Sequence, residues 1–184
     1  TGTGSARPLW TAGLQGGQPG MVFDGGNDQL ISNQILDDAE LTVIVCFWRG
    51  GVVGTGNRDL WGTRDATGEG RIVRTQLTLR ILQLGGYAMQ EITYTEGIPY
   101  VHTARFSASE GYTNGWLNGS VGSPVEYGLV PSESPWRIGY AGPSGGLFFL
   151  GRVFAAAAFQ SALSPALRRR IEQSMAFSFR IPIQ

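Results

Sequence analysis

The sequence has little charge, one histidine and almost no cysteine. Only 15% of its 184 residues are charged, and the 14 basic and 14 acidic side chains cancel. A neutral chain lacks the positive surface that attracts phosphate backbones, which excludes nucleic acid as a main partner and equally argues against a membrane surface. Because Cys46 is the only cysteine, an internal disulfide framework and a cysteine-rich zinc site are excluded as well.

Long apolar runs and nucleotide-binding loops are also missing. No stretch approaches the ~20 apolar residues of a membrane span, so membrane insertion is not expected. Neither G-x-G-x-x-G nor G-K-[ST] occurs, which gives no reason to expect a nucleotide cofactor. What is present is 42% apolar residues with 28 glycines and 9 prolines. This composition predicts one domain, residues 1–184, built from short strands and tight turns.

The strongest strand pattern covers residues 41–48, Leu-Thr-Val-Ile-Val-Cys-Phe-Trp. Both alternating faces are largely apolar, which predicts a central strand with cover on each side. Cys46 lies on one of these faces, so we expect a buried free thiol that acts as a small hydrophobe.

Turns and one helix complete the secondary-structure prediction. Asn114-Gly115 and Asn118-Gly119 are the best hairpin dipeptides, because type I′ turns need positive φ at both central residues. A helix is predicted after Ser164 as N-cap, with Leu167 facing inward and Arg168 outward. The remaining pattern is β throughout. The fold class is therefore all-β: an antiparallel two-sheet sandwich of jelly-roll type with one short C-terminal helix.

Motifs for catalysis are weak. Residues 142–146, Gly-Pro-Ser-Gly-Gly, match G-x-S-x-G, but strand-like residues flank them where a nucleophile elbow needs a strand and then a helix. His102 is the only possible base, and its place in a strand predicts a half-exposed residue without a catalytic role. Two carboxylates placed across a sugar, as a glycosidase requires, are not evident either. The sequence thus favours a protein that is not an enzyme.

Aromatic and acidic side chains supply the candidate binding residues. Trp61, within a Gly-rich stretch at residues 50–70 interpreted as a loop or loose hairpin, is the first candidate for stacking on a sugar. Trp116, Tyr112 and Asn114 complete this candidate set.

Oxygen ligands for calcium are available at Asp24, Asn27 and Asp28, with Asp37 and Asp38 further along the chain. A turn stabilised by side-chain to backbone hydrogen bonds explains the first three residues equally well.

Five segments occur in the order found in one known superfamily. They are residues 23–30 (F-D-G-G-N-D-Q-L), 41–48, 117–119 (L-N-G), 136–139 (W-R-I-G) and 151–164. Together the segments resemble the laminin G-like branch of the concanavalin A-like lectin/glucanase superfamily, over roughly residues 8–182. Where members usually carry Asp and Glu, this chain has Arg152 and Ala155, so any role of that acidic pair is lost.

The resemblance implies a non-catalytic, lectin-like recognition or decoration module, often sugar-binding, on a virion or cell surface. One alternative is a purely structural domain that packs against copies of itself or a neighbouring protein. An enzyme acting on glycans with the same scaffold is the third possibility.

A last expectation concerns the first strand. In many relatives the segment that resembles residues 6–25 follows a further strand, so we expect this sandwich to lack its opening strand. The resulting open sheet edge would be filled by a separate segment, by a neighbouring subunit, or by residues 1–20.

Overall fold

The computed structural model describes residues 7–36, 39–50, 58–63, 70–75, 78–84, 88–126, 134–140 and 147–184. The strands are β1 (Leu9–Gln15), β2 (Gln18–Asp24), β3 (Leu30–Ile35), β4 (Glu40–Arg49), β5 (Arg58–Gly62), β6 (Gly70–Thr75), β7 (Thr78–Leu84), β8 (Ala88–Thr93), β9 (Pro99–Ser107), β10 (Tyr112–Leu117), β11 (Ser120–Val121), β12 (Val125–Glu126), β13 (Pro135–Ile138) and β14 (Leu150–Phe159). A single helix in this part of the chain, α1, covers Pro165–Phe179.

Two antiparallel sheets form a sandwich, which confirms the predicted fold class. One sheet has the order β1-β2-β14-β4-β9-β10-β11, with β12 also paired to β10. The other has the order β3-β13-β5-β6-β7-β8. Helix α1 packs on the outer face of the eight-stranded sheet, so the molecule has three layers and two buried interfaces. No helix within the described ranges is long and apolar enough to cross a membrane.

Strand β4 lies in the centre, as its two apolar faces predict. It pairs with β14 on one side and with β9 along its whole length on the other. Val43, Val45 and Phe47 enter the core between the sheets, while Ile44 and Cys46 enter the core under the helix. Cys46 is a fully buried free thiol, as expected, and burial raises its pKa to about 12.

Aromatic rings fill the core between the sheets. Phe47 lies with its ring centroid 5.9 Å from that of Tyr100 and 6.2 Å from that of Phe149. Phe149 in turn meets Phe23 edge to face at 5.9 Å. These contacts join β2, β4, β9 and the segment before β14 into one packed layer.

Helix α1 begins as the sequence predicts, but the residues that it buries are different. Ser164 caps it by accepting a hydrogen bond from the Leu167 N–H, and Pro165 opens the first turn. The prediction that Leu167 faces inward and Arg168 outward is wrong, because Leu167 is 45% exposed and Arg168 only 9%. The sheet beneath presents polar Thr103, which accommodates the charged side of the helix.

The two Asn-Gly dipeptides have different roles. Asn118 and Gly119 have φ of 50° and 86° and connect β10 to β11, as predicted for a hairpin turn. Asn114-Gly115 instead lies inside β10, so the second turn prediction is wrong. A Cβ atom at Gly115 would come within 2.3 Å of Ile81 Cδ1 in the opposite sheet. This glycine therefore permits close packing of the two sheets.

The edge of the eight-stranded sheet is only partly covered. The β1–β2 hairpin occupies it, but β2 pairs with β14 only at residues 150–153 of the latter. Among the described residues, no strand pairs with residues 155–159 on that side. The expectation of an absent opening strand stays a prediction, and the open half-edge shows where an added strand would fit.

Candidate functional site

Three of the four predicted sugar-contacting residues lie together on β10. Tyr112, Asn114 and Trp116 alternate along this strand and point away from the sandwich, whereas Thr113 and Leu117 point into it. Tyr112 is 52% exposed, and the other two are half-buried. Four residue steps separate the ends of this row, which gives a length of about 13 Å. We call these three residues the β10 strip.

A cleft of about 220 Å³ lies between the β10 strip and the beginning of α1. Its walls come from the β9–β10 hairpin and from the beginning of the helix, so it forms only when these two distant segments of the chain have folded together. The lining residues are Arg105, Glu110, Asn114, Trp116, Leu163, Pro165 and Arg168.

An ion pair forms one wall of the cleft. Arg105, the cross-strand neighbour of Asn114, binds Glu110 through two hydrogen bonds of 2.6 and 2.5 Å. Its Nε donates a further hydrogen bond to the Leu163 carbonyl at 3.1 Å. The hydrogen bonds from Arg105 lower the pKa of Glu110, and the same interaction raises the pKa of Arg105. Both groups are therefore charged at neutral pH.

Arg168 forms the opposite wall. Its guanidinium lies 4.0 Å above the Trp116 ring, a cation–π contact, and also pairs with the buried Glu172 four residues along the helix. Glu172 Oε1 accepts a hydrogen bond of 2.6 Å from the Thr103 hydroxyl. Within the described residues, Arg168 Nε and Glu172 Oε2 have no hydrogen-bond partner. Both atoms are buried, so this unused capacity lies inside the wall and is not offered to the cleft.

A second carboxylate, Glu40, lies near the ion pair without lining the cleft. Desolvation raises its pKa, but hydrogen bonds from the Ser109 N–H and from the Ser109 and Ser107 hydroxyls, together with the charge of Arg105, outweigh that effect. The net pKa of Glu40 is lowered. Glu40 and Glu110 are thus both held in the ionised form.

Trp61 does not belong to this site, which corrects the prediction that it is exposed in a loop. It lies in β5, has no exposed surface and meets Phe106 edge to face at 6.3 Å. The many glycines in residues 50–70 favour a loop, but Trp61 itself lies within a strand that covers Arg58–Gly62. Trp48 packs against the core under the helix, and Trp136 packs against the core between the sheets.

The acidic cluster near the end of β2 is built as a turn. Asp28 Oδ2 accepts a hydrogen bond from the Asp24 N–H at 2.9 Å, and Asp24 Oδ1 accepts one from the Gly26 N–H at 2.7 Å. Asn27 is exposed beside them. No three His, Cys, Asp or Glu residues come together to hold a metal in the described part of the chain. The structure gives the calcium hypothesis no further support; Asp37 and Asp38 lie outside the described residues.

His102 is fully buried, so the prediction of a half-exposed residue is wrong. Within the described residues neither ring nitrogen has a hydrogen-bond partner, and burial lowers the pKa of the imidazole to about 3. A neutral histidine inside the sandwich cannot serve as a base at the surface. The G-x-S-x-G segment at residues 142–146 lies outside the described residues.

The charged walls of the cleft, Arg105, Glu110 and Arg168, are functional candidates that sequence reasoning missed. The sequence held a signal for one of them, because Arg105 is the one charged residue in the sequence of β9. The structure shows that this residue is only 8% exposed. The sequence could not show that Arg168 meets Trp116, since 52 positions separate the two residues (168 minus 116).

Comparison with solved structures agrees with the fold. Over 86% of this chain, the structure is similar to Trypanosoma rangeli sialidase in complex with sialic acid, with a TM-score of 0.67 and 14% identity. Over 96%, it is similar to the enzymatically active domain of bacteriophage CBA120 tailspike protein 2, with a TM-score of 0.66 and 13% identity. Over 78%, it is similar to the heptameric SAP-like pentraxin of Limulus polyphemus, with a TM-score of 0.56 and 16% identity.

The extent of these similarities differs. This chain spans 28% of the sialidase, 30% of the tailspike domain and 76% of the pentraxin. At such low identity the likeness shows a jelly-roll β-sandwich and no particular activity. No protein-family model matches the sequence, and no curated protein matches it either. The laminin G-like branch therefore stays a prediction.

Proposed function

We propose that this domain is a non-catalytic glycan-recognition module of a virion or cell-surface assembly, and that the β10 strip with its adjoining cleft binds the sugar. The observation that carries the proposal is the row of aromatic, amide and aromatic side chains on one outward face of β10. The similarity to a phage tailspike and to a sialidase that was solved with sialic acid supports a glycan as the ligand class.

Each part of the site suits a different part of a sugar. Aromatic rings offer flat apolar surface to the C–H face of a pyranose, and the Asn114 amide both donates to and accepts from hydroxyl groups. The Arg168 guanidinium adds a positive charge to the cleft wall beside the Trp116 ring. A row about 13 Å long favours an extended oligosaccharide over a single sugar, because a monosaccharide cannot contact both ends.

The carboxylates argue against glycoside hydrolysis at this cleft. In most glycosidase families that reaction needs two carboxyl groups across the sugar, one of them protonated through a raised pKa, although sialidases use a tyrosine as the nucleophile. Glu110 is the one carboxylate among the lining residues that the structure describes, and it is paired with Arg105. The pKa values of Glu110 and of nearby Glu40 are both lowered, so neither group suits the role of the acid.

Glycan-array screening followed by isothermal titration tests the proposal. We expect Tyr112→Ala and Trp116→Ala each to weaken sugar binding at least tenfold. Trp10→Ala is the matched control, because Trp10 is 61% exposed on β1, away from the cleft. Absence of binding at millimolar sugar, or equal binding by all three variants, would contradict the proposal. Because Trp116 also supports Arg168, the Tyr112 variant distinguishes lost sugar contact from local unfolding.

Packing within an assembly is the second candidate function. It is favoured by the half-open edge of β14, which carries neither charge nor proline.

A further inference from the structure

An open depression of about 650 Å³ lies at the end of α1, between the last turn of the helix and the turn that joins β1 to β2. Gly16 and Gln18 come from the β1–β2 hairpin, whereas Phe177, Ser178 and Arg180 come from the helix end. The described lining of this depression shares no residue with the cleft beside the β10 strip, which lies at the beginning of the helix. We call it the helix-end pocket.

Arg180 holds a backbone conformation that an arginine rarely adopts. It follows the last residue of α1 with φ of 51° and ψ of 43°, the left-handed region in which glycine is the usual residue at this position. Glycine fits there without strain, whereas a side chain at positive φ lowers stability. Strained residues of this kind cluster at binding sites, where the surrounding structure holds them in place. The conformation therefore indicates that the Arg180 side chain has a role beyond ending the helix.

The Arg180 side chain extends beside the β1–β2 turn and keeps its guanidinium free. A Cβ atom at Gly16 would come within 3.0 Å of Arg180 Cγ, so the glycine leaves room for the aliphatic part of the arginine. Arg180 is exposed, and its guanidinium has no hydrogen-bond or ion-pair partner among the described residues. The lining that the structure describes contains no acidic residue. A free guanidinium in such surroundings is suited to bind a carboxylate through two parallel hydrogen bonds.

Three further groups of the helix-end pocket suit the ring and the hydroxyl groups of a sugar. Phe177 is 87% exposed, so its ring offers a flat apolar face. Pro182, four residues after Ser178, has no N–H, so the regular helical hydrogen bond to the Ser178 carbonyl cannot form. This carbonyl can accept a hydrogen bond from a hydroxyl group, and the exposed amide of Gln18 can both donate and accept.

We propose that the helix-end pocket binds an acidic sugar, a ring that carries both hydroxyl groups and a carboxylate. Arg180 binds the carboxylate, Phe177 stacks on the apolar face of the ring, and Gln18 with the Ser178 carbonyl binds the hydroxyl groups. A neutral sugar would leave Arg180 unpaired, and a simple carboxylic acid would leave the ring and the hydroxyl-binding groups unused. A fatty acid needs an enclosed apolar cavity, which this open depression does not provide.

If the β10 strip is a glycan site as well, one polysaccharide chain could contact both places. Pro165 lines the cleft beside the strip and Phe177 lines the helix-end pocket, and the helix rises roughly 18 Å between these two residues. Two sites at that distance increase the avidity for a polymer with repeated acidic units. This consequence rests on the proposed function, whereas the helix-end pocket does not.

Paired glycans test the class of ligand. An array carries uronic-acid and sialic-acid oligosaccharides, each beside its neutral methyl ester, and is probed with the unsubstituted protein and with Tyr112→Ala, which impairs the β10 strip. We expect at least one acidic oligosaccharide to bind both proteins at least tenfold more tightly than its ester. No binding of any acidic oligosaccharide, or equal binding of acid and ester, would overturn the proposal. Loss of the acidic ligand in Tyr112→Ala would assign it to the β10 strip and would also overturn it.

Isothermal titration with the tightest acidic oligosaccharide tests the residues. We expect Arg180→Gln to weaken binding at least tenfold and Phe177→Ala at least fivefold, with circular dichroism confirming the fold of both. Arg170→Gln and Leu167→Ala are the matched controls, because both residues are exposed on the same helix and neither lines the pocket. Equal weakening by the controls would mean that the overall charge or the helix itself governs binding, and the proposal would fail.

Arg180→Gly separates a role in binding from a role in folding. Since glycine adopts positive φ without strain, we expect the thermal unfolding temperature of this variant to be no lower than that of the unsubstituted protein, while its affinity for the acidic oligosaccharide falls at least tenfold. Unchanged affinity would overturn the proposal. A lower unfolding temperature would show that Arg180 serves the fold, which would overturn the role inferred from its backbone conformation.

Discussion

The two faces of the eight-stranded sheet are built on different principles. The inner face contributes Val43, Val45 and Phe47 to a core of aliphatic and aromatic side chains. The outer face, in the region under the first turns of the helix, presents Thr103 and Arg105, whose polar groups bind Glu172 and Glu110. The inner face is stabilised mainly by apolar burial, whereas the outer face adds hydrogen bonds and ion pairs to an apolar core of its own.

The difference between the two faces indicates that the groups that stabilise the fold are distinct from the polar groups that line the cleft. A buried ion pair adds little stability compared with well-packed apolar residues, because desolvation offsets most of its attraction. The charged groups under the helix are therefore not needed to hold the sandwich together. They lie where β9, β10 and α1 enclose the cleft, which is also where the aromatic β10 strip reaches the surface.

The inner face should show the largest single effect. Phe47 is fully buried between the rings of Tyr100 and Phe149, so Phe47→Ala removes a large apolar volume. We expect the free energy of unfolding, measured by urea denaturation, to fall by about 4 kcal/mol. Phe177→Ala is the control, since Phe177 is 87% exposed and its loss should change stability by less than about 0.5 kcal/mol. Similar losses in both variants would show that the inner core is loosely packed.

On the outer face, removing one partner of the Arg168–Glu172 ion pair should lower the free energy of unfolding more than removing both. Glu172→Leu leaves the Arg168 guanidinium buried without its carboxylate, and we expect a loss of about 3 kcal/mol in the free energy of unfolding. The double variant Arg168→Met/Glu172→Leu should recover most of this loss. A double variant as unstable as the single one would mean that the ion pair itself stabilises the sheet–helix interface.

His102 breaks the apolar rule of the inner face and should make stability depend on pH. The pKa of His102 is about 3 in the folded protein, against an ordinary value of 6.5 that applies to the unfolded chain. Below pH 6.5 the unfolded state therefore binds a proton that the folded state does not. Stability is complete above pH 6.5 and falls toward pH 3, with a loss of about 2 kcal/mol by pH 5. His102→Leu should abolish this slope in denaturation midpoints between pH 7.5 and 5. An unchanged slope would mean that other groups cause the pH dependence. The carboxyl groups of Glu40 and Glu110 are not such groups, because their pKa values are lowered from 4.5 and they affect stability only as the pH falls below that value.

The smallest expected effect lies at the edge of the outer layer. Ser164→Ala removes the side-chain oxygen that caps α1, and we expect thermal unfolding to show a loss of about 1 kcal/mol. Ser174→Ala, at an exposed position within the same helix, is the control and should leave stability nearly unchanged. Equal losses would mean that the cap is not formed in solution.

Local signals predicted the elements that depend on nearby residues. The alternation in residues 41–48 identified the central strand, and Ser164 and Asn118 identified a helix start and a turn, because each acts within a few positions along the chain. Three of the four candidate sugar-contacting residues were found together because they belong to one strand.

The predictions that are wrong depend on distant residues. Gly115 suggests a turn until Ile81 of the opposite sheet is known to press against it. Trp61 suggests an exposed loop until Phe106 covers it, and Arg168 suggests solvent until Trp116 lies beneath it. In each case a contact made across the fold, absent from local composition, decides where the side chain lies.

The position of β4 has a consequence for the order of assembly. Its side-chain hydroxyl at Thr42 donates to the Ser161 carbonyl and accepts from the Leu163 N–H, across 119 and 121 positions of the chain. During synthesis on the ribosome, β4 emerges long before β14. The hydrogen bonds between these two strands therefore form only after β14 has been made, later than those between β4 and β9. Such long-range closure slows folding and leaves one side of an apolar strand open to wrong partners until β14 has been made. The centre of the sheet is therefore completed later than the β9–β10 hairpin beside it.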